Sequence, residues 1–117
     1  MMKVRHLLAM VLLSVGLAAP AAAQGFIKKI ARTGLTQDDI NIMVETASDL
    51  YASGGAVVGA DTVWLNPETD AHGLAEITEV AGNCVRIAYR FRTTRRPSLQ
   101  TVEALRCLEN GRWVLSG

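Results

Sequence analysis

The stretch CVRIAYRFRTTRRPSLQTVEALRC, residues 84–107, decides the fold. Residues 84–92 alternate apolar and polar side chains, which is typical of a β-strand with one buried face. A basic loop follows at 93–97, and residues 99–108 form the next predicted strand. The alternating positions are Val85, Ile87, Tyr89 and Phe91 on one face and Arg86, Ala88, Arg90 and Arg92 on the other.

Antiparallel pairing of these two strands about the middle of the loop sets Cys84 directly opposite Cys107. Opposed Cβ atoms in such a pair lie about 4.5–5.5 Å apart, close to but wider than the separation usual in a disulfide. The register is tightly constrained, because a slip by one residue would turn every side chain to the wrong face. It predicts the pairs Ile87 with Ala104, Tyr89 with Val102 and Ala88 with Glu103.

Neighbouring segments are predicted to extend this hairpin into a meander of about five strands. Residues 62–66 and 73–80 form the two preceding strands, and the loop-forming residues between them make a turn. Asn110-Gly111 is a strong hairpin signal, because a type I′ turn needs positive φ at both central positions. That turn places Leu108 opposite Trp113 and makes residues 112–115 the last strand.

A helix is predicted to precede the strands. Thr36 is a favourable N-cap, and Asp38 and Asp39 place negative charge in the first turn, where the helix dipole favours it. Gly54-Gly55 supplies the left-handed conformation that ends many helices. Between these signals runs an apolar stripe at helical spacing, formed by Ile40, Met43, Val44, Ala47, Leu50 and Tyr51. The sequence therefore predicts one α+β domain over residues 36–117, a helix packed on an antiparallel sheet.

Residues 1–23 have the three parts of a secretory signal peptide. Lys3 and Arg5 are its basic start, residues 7–17 its apolar run, and small residues precede the expected cleavage after Ala23. The run is shorter than the roughly 20 apolar residues that span a bilayer, so an uncleaved anchor is the less favoured alternative. Export would place both cysteines in an oxidising compartment, the periplasm or outer envelope, where a disulfide persists.

Residues 24–35 form a short basic segment that contains Lys28, Lys29 and Arg32. We expect about one helical turn in a loosely ordered terminus. The alternative interpretation is a weak contact with an anionic membrane surface, since a segment of this length cannot anchor the chain alone.

A series of short motifs follows Val63 along the chain. They are Trp64-Leu65-Asn66-Pro67-Glu68-Thr69, Gly73, Gly82-Asn83-Cys84, Arg106-Cys107 and Asn110-Gly111-Arg112-Trp113. In this order the sequence resembles the bacterial surface-antigen family typified by the rickettsial surface antigen. The helix followed by this module also looks like small exported proteins of alphaproteobacteria. The resemblance implies an envelope-located α+β or all-β module with a structural role, and it implies no known catalysis. The chain departs from the family in lacking a lipid-attachment cysteine and a glycine-rich membrane segment, and Asp70 stands where the family often has glycine.

The sequence predicts no set of residues that would form a catalytic or metal-binding site. His72 is the one histidine after the signal peptide and lies in a polar loop, where a solvated side chain is expected. A metal site needs several ligands, which one histidine and two paired cysteines do not supply. Glu76 and Glu79 fall on opposite faces of a regular strand and so form no acid–base pair. The chain has no phosphate-binding or dinucleotide motif, so we expect a protein that is not an enzyme and uses no cofactor.

The arginines are the one feature with a functional interpretation. Net charge is +1, but acidic residues dominate 38–79 and arginines dominate 86–112. The candidate contact residues are Arg86, Arg90, Arg92, Arg95 and Arg96. They form either a solvated edge that blocks sheet-to-sheet aggregation or an anion-binding patch for lipid headgroups, lipopolysaccharide or an acidic envelope protein. Nucleic acid is disfavoured, because Tyr89 and Phe91 point to the opposite face.

Two functions are consistent with these features. The first is a non-enzymatic exported cell-envelope protein, a structural or interaction module with an anion-binding arginine hairpin. The second is a small periplasmic inhibitor, or chaperone-like binder, of an envelope enzyme, whose loop at 93–98 would enter a cleft.

Overall fold

A computed structural model describes residues 21–117. The predicted signal peptide therefore lies outside the described residues, except for its last three. The elements in chain order are α1 (Ala21–Ile30), α2 (Gln37–Ser48), β1 (Asp61–Leu65), β2 (His72–Ala81), β3 (Cys84–Arg92), β4 (Gln100–Glu109) and β5 (Arg112–Leu115). The strands form one antiparallel sheet in the order β1-β2-β3-β4-β5. The predicted α+β architecture is confirmed.

The register of the central hairpin is the predicted one. Cys84 pairs with Cys107 and the two sulfurs are bonded, with Cα atoms 4.0 Å apart. This Cα separation suits the closer, non-hydrogen-bonded kind of antiparallel pair. The next pair outward is hydrogen-bonded, since Leu108 N donates to the Asn83 carbonyl at 2.8 Å. The other predicted pairs are also confirmed: Ile87 with Ala104, Tyr89 with Val102, Ala88 with Glu103, and Leu108 with Trp113.

Helix α2 covers the apolar face of the sheet and packs on β1 and β2. Thr36 is its N-cap, as predicted. The helix ends at Ser48, before the predicted glycine stop, and the chain continues in hydrogen-bonded turns from Ser48 to Ala52. These turns keep Tyr51 on the core side. The largest fully buried core side chains are Tyr89, Phe91, Met43, Ile77, Ile87 and Val85.

The N-terminal basic segment is more ordered than predicted. The expectation of one turn in a loose terminus is wrong, because α1 extends for ten residues and packs against β4. Phe26 and Ile30 lie four positions apart, so both fall on one helix face and join the core cluster. Lys28, Lys29 and Arg32 stay exposed. A domain this small gains needed apolar burial from the extra helix.

A bulge in β2 overturns the prediction that Glu76 and Glu79 lie on opposite faces. The register shifts between Ile77 and Glu79, so Glu76 pairs with Ala88 while Glu79 pairs with Arg86. Ala88 and Arg86 share one face of β3, and their partners therefore share it too. Both carboxylates project from the outer face, away from α2, and lie beside arginines.

Gly73 occupies the crowded position between Trp64 and Phe91 in neighbouring strands, whose rings are 6.4 Å apart. A Cβ added there would overlap the Arg90 carbonyl oxygen and lie 2.8 Å from the Phe91 Cα. Those atoms are backbone and cannot rotate away. The chain must therefore approach closely at this point, and only glycine permits that approach.

We predict that Gly73→Ala lowers the free energy of unfolding by about 2 kcal/mol or more, because it overpacks a rigid site. Urea unfolding followed by tryptophan fluorescence measures the change. Gly25→Ala is the matched control: a Cβ there meets nothing within 4 Å among the described residues, and the position is helical. We expect the control to be neutral or to stabilise by about 0.5 kcal/mol. Equal effects of the two substitutions would contradict the close approach.

The disulfide closes a loop with a sequence separation of 23 residues. We predict that Cys84→Ala/Cys107→Ala lowers the free energy of unfolding by roughly 3 kcal/mol, because the unfolded chain regains the freedom that the bond removes. Urea unfolding with and without reductant tests this. The native chain in reductant should fall to the level of the double variant, which should not respond to reductant. A native chain that reductant leaves unchanged would contradict the prediction.

Candidate functional site

Four segments meet at one end of the sheet, which we call the tip end. They are the linker 31–36, the first turn of α2, the β1–β2 turn at 66–71, and the β3–β4 loop at 93–99. Two hydrogen bonds from the loop, and a third from the first residue of β4, tie this region to distant positions of the chain. Thr94 Oγ1 donates to the Thr69 carbonyl at 2.8 Å, Arg96 Nη1 to the Arg32 carbonyl at 2.9 Å, and Gln100 Nε2 to the Thr33 carbonyl at 2.9 Å.

Asp39 joins the helix to the β1–β2 turn. Its side chain is buried, and one carboxylate oxygen accepts hydrogen bonds from Asn66 Nδ2 at 2.7 Å and Thr69 Oγ1 at 2.6 Å. The other oxygen accepts from the Thr36 backbone N–H at 2.8 Å, which completes a capping box with Thr36. Asp38 adds a second acceptor for Asn66 Nδ2 at 3.0 Å. Sequence reasoning found the cap but not this link between distant segments.

The β1–β2 turn is shaped to reach that carboxylate. The Asn66 carbonyl accepts from the Asp70 N–H at 2.8 Å, and Asn66 Oδ1 accepts from the Glu68 N–H at 3.1 Å. Asp70 has a φ of 64°, the left-handed region that glycine usually fills and that aspartate tolerates better than most residues. Asn66 is itself buried, so its amide nitrogen depends on the carboxylates of Asp38 and Asp39 for hydrogen-bond partners.

Hydrogen bonds keep Asp39 ionised in the folded chain. Burial alone would raise its pKa, but the bonds from Thr69, from the Thr36 backbone and from Asn66 together lower the pKa below the ordinary value. The folded state therefore binds a proton here less readily than the unfolded chain does. Stability from this carboxylate is complete above the ordinary value of 3.8 and is lost as pH falls through the lowered pKa.

Two of the predicted contact arginines are compensated by carboxylates. Arg90 Nη1 lies 2.8 Å from Glu76 Oε1, and Arg86 Nε lies 4.0 Å from Glu79 Oε1. Glu103 pairs with Ala88 between them. This part of the outer face is therefore a mixed-charge surface and presents no net positive field.

The other three predicted contact arginines are exposed at the tip end. Arg92 Nη1 donates to the Pro97 carbonyl at 2.6 Å, and the Arg96 backbone N–H donates to Thr93 Oγ1 at 3.0 Å. Arg95 lines a cavity of about 530 Å³ together with threonines from three of the four segments. Within residues 21–117, none of these three arginines has a carboxylate within ion-pair distance. We call Arg92, Arg95 and Arg96 the tip arginines.

His72 is placed at the start of β2, and its side chain is exposed. Its Nδ1 lies 2.8 Å from the Asp70 carbonyl oxygen, and no carboxylate of residues 21–117 reaches the ring. The same residues contain no group of three or more histidine, cysteine or acidic side chains that could hold a metal ion. No helix among them has the length and apolar character to cross a membrane.

Comparison of this chain with known protein families, with curated proteins and with solved structures gives no significant match.

We predict that Asp39→Asn costs about 2 kcal/mol of unfolding free energy near pH 6, because a buried acceptor of charged hydrogen bonds is lost. The difference from the native chain should shrink as pH falls through the lowered pKa of Asp39, since the native carboxylate then becomes protonated too. Urea unfolding across this pH range measures both. Asp49→Asn, an exposed acid after α2, should change stability by less than about 0.5 kcal/mol at any of these pH values. A deficit of Asp39→Asn that stays constant into acid would contradict the role of the ionised form.

Proposed function

We propose that the protein is a non-enzymatic, exported cell-envelope module that binds anionic phosphate groups of lipid or lipopolysaccharide through the tip arginines. The observation that carries the proposal is the contrast between the two arginine sets. Arg86 and Arg90 lie beside carboxylates, whereas Arg92, Arg95 and Arg96 have only carbonyl and hydroxyl partners or none. Three exposed arginines without a carboxylate partner among residues 21–117 therefore lie together at the tip end.

The loop that carries these arginines is held in place before any ligand arrives. The Thr93 N–H donates to the Arg96 carbonyl, Thr93 Oγ1 accepts from the Arg96 N–H, and Thr94 is tied to the β1–β2 turn. Ordering a loop on binding costs free energy, so a loop already ordered loses less. Guanidinium groups match the oxygen geometry of phosphates, which suits the proposed ligand.

The linker after α1 adds one more cation to this surface. Arg96 donates to the carbonyl of Arg32 in that linker, so Arg32, which is exposed, lies at the tip end as well. The predicted signal peptide, the disulfide and the resemblance to surface antigens support an envelope location.

A second candidate is a periplasmic inhibitor or chaperone-like binder. It is favoured by the internal hydrogen bonds of the 93–98 loop, since inhibitors that enter clefts use loops fixed in advance. In this case the occupant of the tip end would be one enzyme rather than a phosphate-bearing surface.

We predict that Arg95→Ser/Arg96→Ser weakens binding to vesicles containing phosphatidylglycerol by roughly tenfold or more at low salt, at about 1 kcal/mol for each arginine near an anionic surface. Co-sedimentation measures the affinity, with purified lipopolysaccharide as a second probe. Arg86→Ser/Arg112→Ser is the matched control. It removes the same charge from the opposite end of the sheet, where the 82–83 and 110–111 turns lie. The control should retain most of the binding.

Equal losses in the two double variants would trace binding to net charge and reject the tip end as a site. Unchanged binding of Arg95→Ser/Arg96→Ser at low salt would also reject it. Capture from a periplasmic extract separates the second candidate. Stoichiometric recovery of one enzyme by the native chain, and not by a chain lacking residues 93–98, would replace the lipid proposal with the inhibitor.

A further inference from the structure

Arg106 is a cation on the face of the sheet that otherwise forms the core. Its cross-strand partners are Val85, which is buried, and Leu115, so its side chain projects toward α2 rather than to the outer face. The Nε atom is buried and has no hydrogen-bond partner among the described residues. The rest of the guanidinium also makes no hydrogen bond or ion pair within residues 21–117. A partly buried charge without a partner is costly, and proteins rarely leave one so.

The arginine lies in an open cleft of about 620 Å³ between α2 and β5. Ile40 and Val44 line the helix side, and Trp113 lines the strand side. The Trp113 ring meets the Tyr51 ring edge-on, with centroids 4.8 Å apart. The cleft therefore combines one charged group with apolar and aromatic walls, which is the usual composition of a site for a small organic ligand.

Two phenols add hydrogen-bonding capacity beside the arginine. Tyr51 lines the cleft, and the buried Tyr89 hydroxyl has no partner among the described residues. Burial raises the pKa of both tyrosines, and the positive charge of Arg106 opposes that rise in both. Both phenols are protonated at neutral pH and can donate.

We infer that the cleft between α2 and β5 binds an organic carboxylate with an apolar or aromatic substituent, its carboxylate on Arg106 and its substituent against Trp113. A carboxylate fits one guanidinium in a planar, two-point contact. The apolar walls favour it over a phosphate, whose larger hydrated charge they would not satisfy. This site lies away from the tip arginines, so either site can exist without the other.

Glu45 is the competing partner at the rim of the cleft. Its side chain is exposed, and its carboxylate is farther from Arg106 than ion-pair distance. If Glu45 served as the counter-ion of Arg106, its removal would weaken the fold. If the cleft takes a carboxylate from outside, removing the like charge at the rim should instead tighten binding.

The experiment uses N-acetylphenylalanine and its carboxamide, which differ only in the carboxylate. Two-dimensional ¹⁵N spectra of the full exported domain follow the Trp113 indole and Arg106 Nε–H signals, with the Trp64 indole as an internal reference. We expect saturable shifts with the acid and at least about tenfold weaker binding of the amide. A short peptide ending in phenylalanine, as free acid or amide, shows whether the carboxylate belongs to a chain terminus or to a small acid.

Arg106→Gln should abolish the preference for the acid, whereas Arg112→Gln, the same charge change outside the cleft, should retain it. Glu45→Gln should tighten binding of the acid about two- to threefold. Because Glu45 is exposed, this variant should keep the fold, and it tests the site even where Arg106→Gln does not fold. Equal affinities for acid and amide, absence of shifts at Trp113, or an affinity that Glu45→Gln leaves unchanged or weakens would overturn the site.

Discussion

Every other part of the structure takes its position from the antiparallel pairing of β3 and β4. The Cys84–Cys107 bond fixes that pairing at one end, and side-chain alternation then sets which residues face α2 and which face outward. A slip by one residue would expose Tyr89 and bury Arg90, so the hydrophobic pattern and the covalent bond enforce the same register. This register also determines where the β3–β4 loop and the Arg106 cleft lie, because each is at a fixed distance along these two strands.

The helix needs a second constraint, since an apolar stripe alone does not fix how far α2 slides along the sheet. Asp39 provides it through polar bonds with defined geometry to Asn66 and Thr69. Hydrophobic contact is non-directional and tolerates sliding, whereas a buried carboxylate without its donors would be strongly unfavourable. The tip end is therefore fixed to the helix by directional polar bonds, and the proposed contact loop is joined to it through Thr94.

Sequence periodicity was sufficient for the sheet because period-two alternation, turn residues and cysteine spacing are all local signals that agree. It was insufficient where two distant segments meet. The Asp39–Asn66 hydrogen bond joins positions 27 residues apart, and neither segment contains a sequence signal that predicts contact with the other. The bulge near Thr78 inserts one residue without a breaker in the sequence, which turned Glu79 to the face of Glu76. The extent of helix α1 was not predicted, because Phe26 and Ile30 become buried only through contact with β4, which is distant in the sequence.

Arginine illustrates why a residue type in a pattern does not settle a role. Arg90 and Arg95 are only five residues apart in the chain, yet Arg90 is paired with Glu76 and Arg95 is left exposed without a carboxylate partner among the described residues. Arg106 differs from both, because the alternation that puts Val102 and Ala104 in the core also puts Arg106 there. That conflict between pattern and polarity was visible in the sequence. A charge at a position where the period demands an apolar side chain carries a desolvation cost, and in the proposed site the carboxylate of the ligand would offset that cost.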